Sequence, residues 1–171
     1  MNVEQLLSDN QLKPKAKTEE LSRMLLAKEV SLKELIKIAE SSKDSNKATC
    51  IEALEFATRA EPKIGTKLCL DFVTKTLLEK APRVKWESAK VIGNMAHLHP
   101  DKLDDAIRNL LVNSEFPGTV VRWSAAYALG EIVKLKTKHN KALIPAIEAI
   151  IKREEKNSIQ KICRAALKMA L

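Results

Sequence analysis

The sequence contains one segment twice, and the distance between the two copies constrains the fold more than any other feature. The residues Val84–Gly93 recur 37 positions later as Val121–Gly130, with aliphatic, basic, Trp, small, aliphatic and Gly residues at the same offsets. A period of about 35 to 40 residues in a helix-rich sequence is typical of solenoids, in which helical units stack in a row. The sequence therefore predicts a repeat architecture, and such architectures act through their extended surfaces.

The composition favours helices over strands. Hydrophobic residues make up 45% of the 171 residues, aromatic residues only 4%, and there are only 4 glycines. Ala, Leu, Ile, Lys and Glu dominate, and most of these residues favour helices. We expect neither a membrane span nor a secretory signal, because no long apolar stretch or basic leader is present. Cys50, Cys69 and Cys163 are far apart, which fits buried free thiols in the cytoplasm.

Loop residues and capping signals predict ten helices in five antiparallel pairs, and we call the first helix of each pair A and the second B. Pro14 is expected to break the chain before the first B helix, which is predicted to begin near Thr18. Pro82 is likewise expected to separate the third A helix from the third B helix, which is predicted to begin near Val84. Ser31 and Glu34 predict a capping box, and Asn157 with Ser158 is expected to cap the last helix. The five pairs form a single domain over 1–171, with approximate repeats 1–29, 31–60, 64–98, 101–135 and 139–171.

The fourth B helix carries a motif that resembles the HEAT repeat. Its aliphatic, basic, small and Gly positions are Val121, Arg122, Ala125, Ala126, Ala128, Leu129 and Gly130, and a weaker copy spans Val84–Gly93. A proline within an A helix, here Pro145, is a further feature in which the sequence resembles that family. The resemblance implies an all-α fold, a right-handed α-α superhelix. The turns before the motif lack the Asp that many HEAT repeats carry there, so an Asp–Arg ladder between repeats is not expected from them.

A helical wheel separates two sides of the fourth B helix. On the side opposite the aliphatic residues lie Trp123, Tyr127, Gly130 and Lys134, and the same rotation in the third B helix gives Trp86, Lys90, Gly93 and His97. B helices line the concave wall of such solenoids, so this stripe is expected to face the groove. The rings either anchor a partner, as Trp and Tyr often do, or are buried between neighbouring repeats.

Cations lie beside these rings, and the net charge of the chain is +8. Lys85 and Arg122 occupy equivalent positions, and with Lys90 and Lys134 they predict a basic groove with interleaved aromatic residues. That combination suits an acidic peptide or single-stranded nucleic acid. The alternative is that Lys85 and Arg122 pair with groups of the protein itself. The predicted partner-binding residues are Lys85, Trp86, Lys90, Arg122, Trp123, Tyr127 and Lys134.

No motif in the sequence indicates catalysis, a metal or a cofactor. His97 and His99 are two residues apart and do not share a helix face. Glu87 and Glu131 flank the aromatic stripe without a position that suits a catalytic acid. We therefore predict a non-enzymatic scaffold or adaptor that binds a protein partner, such as an acidic or extended segment, on its concave surface. The alternatives are a nucleic-acid-binding protein related to the HEAT-like DNA alkylation-repair glycosylases and, more weakly, a chromophore- or cofactor-related lyase of this fold.

Overall fold

The computed structural model describes all 171 residues, and its secondary structure consists of ten α-helices joined by short loops. The helices are α1 (Val3–Ser8), α2 (Pro14–Leu26), α3 (Leu32–Glu40), α4 (Asp44–Ala60), α5 (Lys67–Thr76), α6 (Pro82–Met95), α7 (Asp104–Asn113), α8 (Thr119–Val133), α9 (Asn140–Arg153) and α10 (Asn157–Ala170). Short 3₁₀ turns at Pro62–Ile64 and Ala96–Leu98 follow α4 and α6. The expected all-helical repeat fold is confirmed.

The helices form two rows that differ in packing. The even-numbered helices, which are the B helices, pack on one another in sequence order from α2 to α10. The odd-numbered A helices contact their own B partners, but they touch one another at only a few positions. Small residues permit the close B packing, since Ala89 and Ala126 are both buried as the repeat pattern predicts. A continuous hydrophobic core runs between the rows from Val3 to Leu167.

The two glycines of the repeated motif lie where one B helix meets the next. A Cβ atom on Gly93 would overlap the ring of Tyr127, and one on Gly130 would lie 3.0 Å from the Cβ of Ala166. The helical wheel had grouped both glycines with the outward-facing stripe, and this placement was wrong because both are buried. The motif glycine therefore makes room for the following repeat.

Proline begins two of the B helices. Pro14 and Pro82 are the first residues of α2 and α6, although the sequence reading treated them as breaks between helices. The first residue of a helix needs no N–H partner, and its φ suits the proline ring. The B helices consequently start earlier than predicted.

The capping signals were only partly correct. The hydroxyl of Ser31 accepts a hydrogen bond from the N–H of Glu34 at 3.1 Å, but the reciprocal bond of a capping box is not formed. The full capping box occurs at α1, between Asn2 and Gln5. The start of α10 has no side-chain cap, and Asn157 is already its first helical residue.

The three cysteines are buried and unpaired. Burial raises the pKa of Cys50 and of Cys69 to about 12 and that of Cys163 to about 11. Their thiols are therefore protonated and unreactive at neutral pH. None of the helices has the length and apolar character that a membrane span requires.

Candidate binding face on the B helices

Five of the predicted binding residues lie on the third and fourth B helices with their side chains half-buried. They are Trp86 and Lys90 of α6, Trp123 and Tyr127 of α8, and Lys134 at the C-terminal end of α8. We call this set the B-helix face. Its aromatic rings are neither fully exposed nor fully packed away, so each leaves part of its surface open.

Trp123 and Tyr127 form one aromatic unit. Their rings stack at a centroid distance of 5.9 Å with an angle of 7° between the planes. Trp123 also packs partly against the hydrophobic core. The hydroxyl of Tyr127 donates a hydrogen bond to Oδ1 of Asn94 at 2.8 Å. Burial raises the pKa of Tyr127 to about 12, so this hydroxyl stays a donor at neutral pH.

Asn94 joins three successive B helices and was missed by the sequence reading. Besides accepting from Tyr127, its Nδ2 donates to the backbone oxygen of Glu55 at 3.1 Å and to Oγ1 of Thr58 at 3.2 Å. The position equivalent to Asn94 in the next repeat is Glu131. Because the repeat does not retain the residue type, the internal alignment gave no signal for this role.

Trp86 is held by a neighbouring carboxylate. Its Nε1 donates to Oε1 of Glu87 at 2.9 Å, and Nζ of Lys90 lies 3.3 Å from Oε2 of the same residue. Burial raises the pKa of Glu87, and the hydrogen bonds from Lys90 and Trp86 partly oppose this shift. The sequence reading placed Glu87 at the flank of the stripe. It lies between the ring and the lysine, and both of its oxygens are occupied.

The lysines of the B-helix face are paired with carboxylates of their own helices. Lys90 contacts Glu87, and Nζ of Lys134 lies 2.6 Å from Oε1 of Glu131. Each pair is three residues apart, which is a favourable spacing on a helix. The face therefore carries balanced charge, in contrast to the basic groove expected from the sequence.

Lys85 lies outside the face. Its buried ammonium donates to the backbone oxygen of Leu77 at 3.1 Å and to Oδ1 of Asn113 at 3.3 Å. It also lies 5.3 Å from the ring centroid of Phe116, a cation–π distance. Burial lowers the pKa of Lys85. These contacts connect α6 to the third and fourth A helices, so the amine has a structural role within the repeats.

Arg122 is likewise engaged within the protein, as the alternative reading of the sequence proposed. Its Nε and Nη2 donate to the carboxylate of Glu154 at 2.9 and 3.3 Å, and its Nη1 donates to the backbone oxygens of Phe116 and Pro117. Although burial by itself raises the pKa of Glu154, hydrogen bonds from Arg122 and from the N–H of Lys156 bring it below the ordinary value. This bridge replaces the missing Asp–Arg ladder between repeats four and five.

Comparison with known proteins agrees with this architecture. Residues 82–132 match the family described as HEAT-like repeat. No curated protein matches the chain in sequence.

Several solved structures share the fold over nearly the whole chain. One is a chain from the structure of computationally designed armadillo repeat proteins for modular peptide recognition. It is 17% identical with a TM-score of 0.71, and the match covers 98% of this chain and 80% of the other. The complex of CpcE and CpcF of phycocyanin lyase from Nostoc sp. PCC7120 is 16% identical with a TM-score of 0.71, covering 96% and 97%. The designed armadillo repeat protein YIII(Dq)4CqI is 16% identical with a TM-score of 0.69, covering 99% and 81%. The chain thus has the helical repeat fold of these structures, and its residues 82–132 match the HEAT-like repeat family.

Proposed function

We propose that this protein is a non-enzymatic scaffold that binds an extended segment of a partner protein across the B-helix face. The observation that carries the proposal is the equivalent placement of two half-exposed tryptophans, Trp86 and Trp123, on adjacent helices 37 residues apart. Trp supplies a large rigid contact area with a polar group, and it is among the residues most often found as an anchor in interfaces.

The surroundings of the rings support this proposal. Trp86 is oriented by Glu87, and the Trp123–Tyr127 stack is fixed by Asn94. Side chains held in place before binding lose little conformational entropy when a partner docks. An extended peptide fits such a face because consecutive repeats can contact consecutive parts of it. Scaffolds designed for modular peptide recognition share the fold.

Because the charge of the B-helix face is balanced, the face is not expected to recognise a partner by its acidity alone. Lys90 and Lys134 each have a carboxylate beside them, so an acidic peptide would meet negative as well as positive groups. The proposal is therefore limited to an extended segment that uses the rings as anchors. Single-stranded nucleic acid on this same face is the alternative that the salt dependence would reveal, since phosphate contacts make affinity fall steeply with salt.

A displayed library of random peptides, selected against the intact protein, tests the proposal. Trp86 and Trp123 are the only 2 tryptophans in the chain, so intrinsic fluorescence reports directly on the face. Enriched peptides are expected to change that fluorescence. The Trp86→Ala/Trp123→Ala variant is expected to bind the selected peptides roughly tenfold or more weakly, because it lacks the interface anchors. Fluorescence polarisation of labelled peptide measures this affinity.

The matched control removes two exposed apolar residues from the A side. Leu68→Ala/Val112→Ala alters side chains on α5 and α7 that are 46% and 59% exposed. This variant is expected to bind the selected peptides as the unchanged protein does. Peptides that bind both variants equally, or a library that yields no enriched sequence, would rule out the B-helix face as the binding site. Circular dichroism verifies that each variant remains folded.

A further inference from the structure

The positive charge of the chain is concentrated after its fourth repeat, which ends at residue 135. Residues 136–171 contain nine Lys and Arg against three Asp and Glu, whereas residues 1–135 contain twenty-one against nineteen. Six of the eight net positive charges therefore lie in the final 36 residues. The B-helix face plays little part in this excess, because its lysines are paired.

Most of these nine cations have no partner in the protein. Arg153 pairs with Glu115 and donates a hydrogen bond to Ser114. The eight remaining cations form neither an ion pair nor a side-chain hydrogen bond, and all eight are exposed. Earlier repeats also contain exposed unpaired lysines, such as Lys33 and Lys80, but their acidic residues nearly balance their basic residues in number. Unpaired like charges repel one another, so their accumulation weakens the fold slightly rather than stabilising it.

Three of these cations form a stripe along α10. Lys161, Arg164 and Lys168 lie on the side of the helix opposite its buried residues, which are Ile159, Cys163, Ala166 and Leu167. Because α10 packs on α8 and α9 with its buried side, the stripe faces away from the rest of the solenoid. Seven residues of helix extend about 10 Å, a length over which duplex DNA presents roughly six phosphate charges.

A second group of cations lies at the same end of the fold as the C-terminus of α10. Lys136, Lys138 and Lys141 occupy the loop between α8 and α9 and the first turn of α9. Because α8 and α10 are equivalent B helices that pack together and run in the same direction, this loop is at the level of the C-terminal end of α10. We call the stripe and this second group together the basic end.

The chemistry of the basic end distinguishes between anionic partners. No aromatic residue follows Tyr127, and among the eight unpaired cations only Arg164 is not lysine. The cores of protein–protein interfaces are rich in aromatic residues and Arg and depleted of Lys. Lysine binds phosphate as a point charge without bidentate geometry, and Lys as well as Arg neutralises backbone phosphates whatever the base sequence. We propose that the basic end binds the phosphate backbone of duplex nucleic acid without sequence preference.

Anisotropy of a short labelled DNA duplex of mixed sequence, titrated with the intact protein at several salt concentrations, tests this proposal. We expect binding at low salt. The logarithm of the association constant should fall linearly with the logarithm of the salt concentration. Lys161→Gln/Arg164→Gln/Lys168→Gln should reduce the magnitude of that slope by about 2 to 3, roughly one for each lost phosphate contact. Affinity at about 50 mM salt should fall roughly tenfold or more.

The matched control removes the same number of charges elsewhere. Lys33→Gln/Lys37→Gln/Lys80→Gln alters exposed lysines of the second and third repeats that form no ion pair. This variant is expected to retain most of the affinity and the full salt slope. Equal losses in both variants would show that net charge alone attracts DNA, and absence of binding at low salt would equally overturn the proposal.

Two further measurements separate the alternatives. A polyglutamate peptide or anionic phospholipid vesicles that displace the duplex at equal concentration of charge would assign the basic end to acidic protein or to membrane and would refute the nucleic-acid assignment. The Trp86→Ala/Trp123→Ala variant is expected to bind the duplex unchanged, because the rings lie outside the basic end. If the protein does not bind DNA, the peptide-binding proposal is therefore unaffected. If it does not bind peptides, the nucleic-acid proposal is unaffected.

Discussion

The two central repeats and the final repeat use charge in opposite ways. In the centre, Lys90 contacts Glu87, and the aromatic rings lie among these paired groups. The final repeat has no aromatic residue and carries cations such as Lys161 and Lys168 without partners. Each central B helix packs against a B helix on either side, whereas α10 packs against α8 and α9. This difference is the basis for proposing a separate binding role for each region.

The largest expected effect is on the free energy of unfolding, when a core leucine is truncated in each of the two regions. Leu129→Ala in α8 should lower the free energy of unfolding by about 2–5 kcal/mol, because Leu129 is fully buried between repeats. Leu167→Ala in α10, at the equivalent position, should cost less, because Leu167 is 8% exposed near a helix end. Urea denaturation of both variants measures the difference. Equal losses would contradict the idea that the final repeat is the less constrained one.

The next effect concerns the bridge between the two regions. Arg122→Ala leaves the buried carboxylate of Glu154 without its main partner and should cost about 2–3 kcal/mol at neutral pH. Arg108→Ala is the control, since its ion pair with Asp105 is exposed and should contribute less than about 1 kcal/mol.

The same bridge predicts a pH dependence. A folded-state pKa below the unfolded value means that the ionised Glu154 stabilises the fold above about pH 4.3. That contribution is lost as the pH falls through the lowered folded value. The original protein and Arg122→Ala should therefore differ most near neutral pH and converge in acid, as thermal unfolding across pH would show. A difference that stays constant with pH would exclude Glu154 as the relevant partner.

A smaller effect should separate the two motif glycines. Gly93→Ala forces the Tyr127 ring to move away from its stacked and hydrogen-bonded position, at a cost of about 1–3 kcal/mol. In Gly130→Ala the new methyl contacts only the methyl of Ala166, at 3.0 Å. The higher helix propensity of Ala offsets about 1 kcal/mol of the cost of this close contact. Denaturation midpoints measure both variants. Gly93→Ala with an unchanged midpoint would show that the Tyr127 ring is not fixed as described.

The smallest effect lies at the basic end. Lys161→Gln/Arg164→Gln/Lys168→Gln should change the free energy of unfolding by less than about 0.5 kcal/mol per residue, because the side chains are exposed and unpaired. A marked destabilisation in a thermal scan would mean that these cations support the fold, and the contrast with the central repeats would disappear.

Local pattern and internal repetition were sufficient for the architecture. The copies at Val84–Gly93 and Val121–Gly130 predicted a stacked helical fold, since a recurring amphipathic unit buries its apolar side only against its neighbours. Helix propensity and loop residues located all ten helices. The same internal pattern predicted the burial of Ala89 and Ala126, because small residues recur where equivalent helices approach.

The roles of the polar side chains depended on the tertiary structure. A helical wheel gives the direction of a side chain from its own helix but not the position of the neighbouring repeat. Tyr127 therefore fills the space left by Gly93, and Arg122 reaches Glu154 across 32 positions of sequence. Whether a long basic side chain lies in solvent or against a buried partner depends on such distant groups. Lys85 was therefore predicted to line the groove, whereas its ammonium is buried against Asn113.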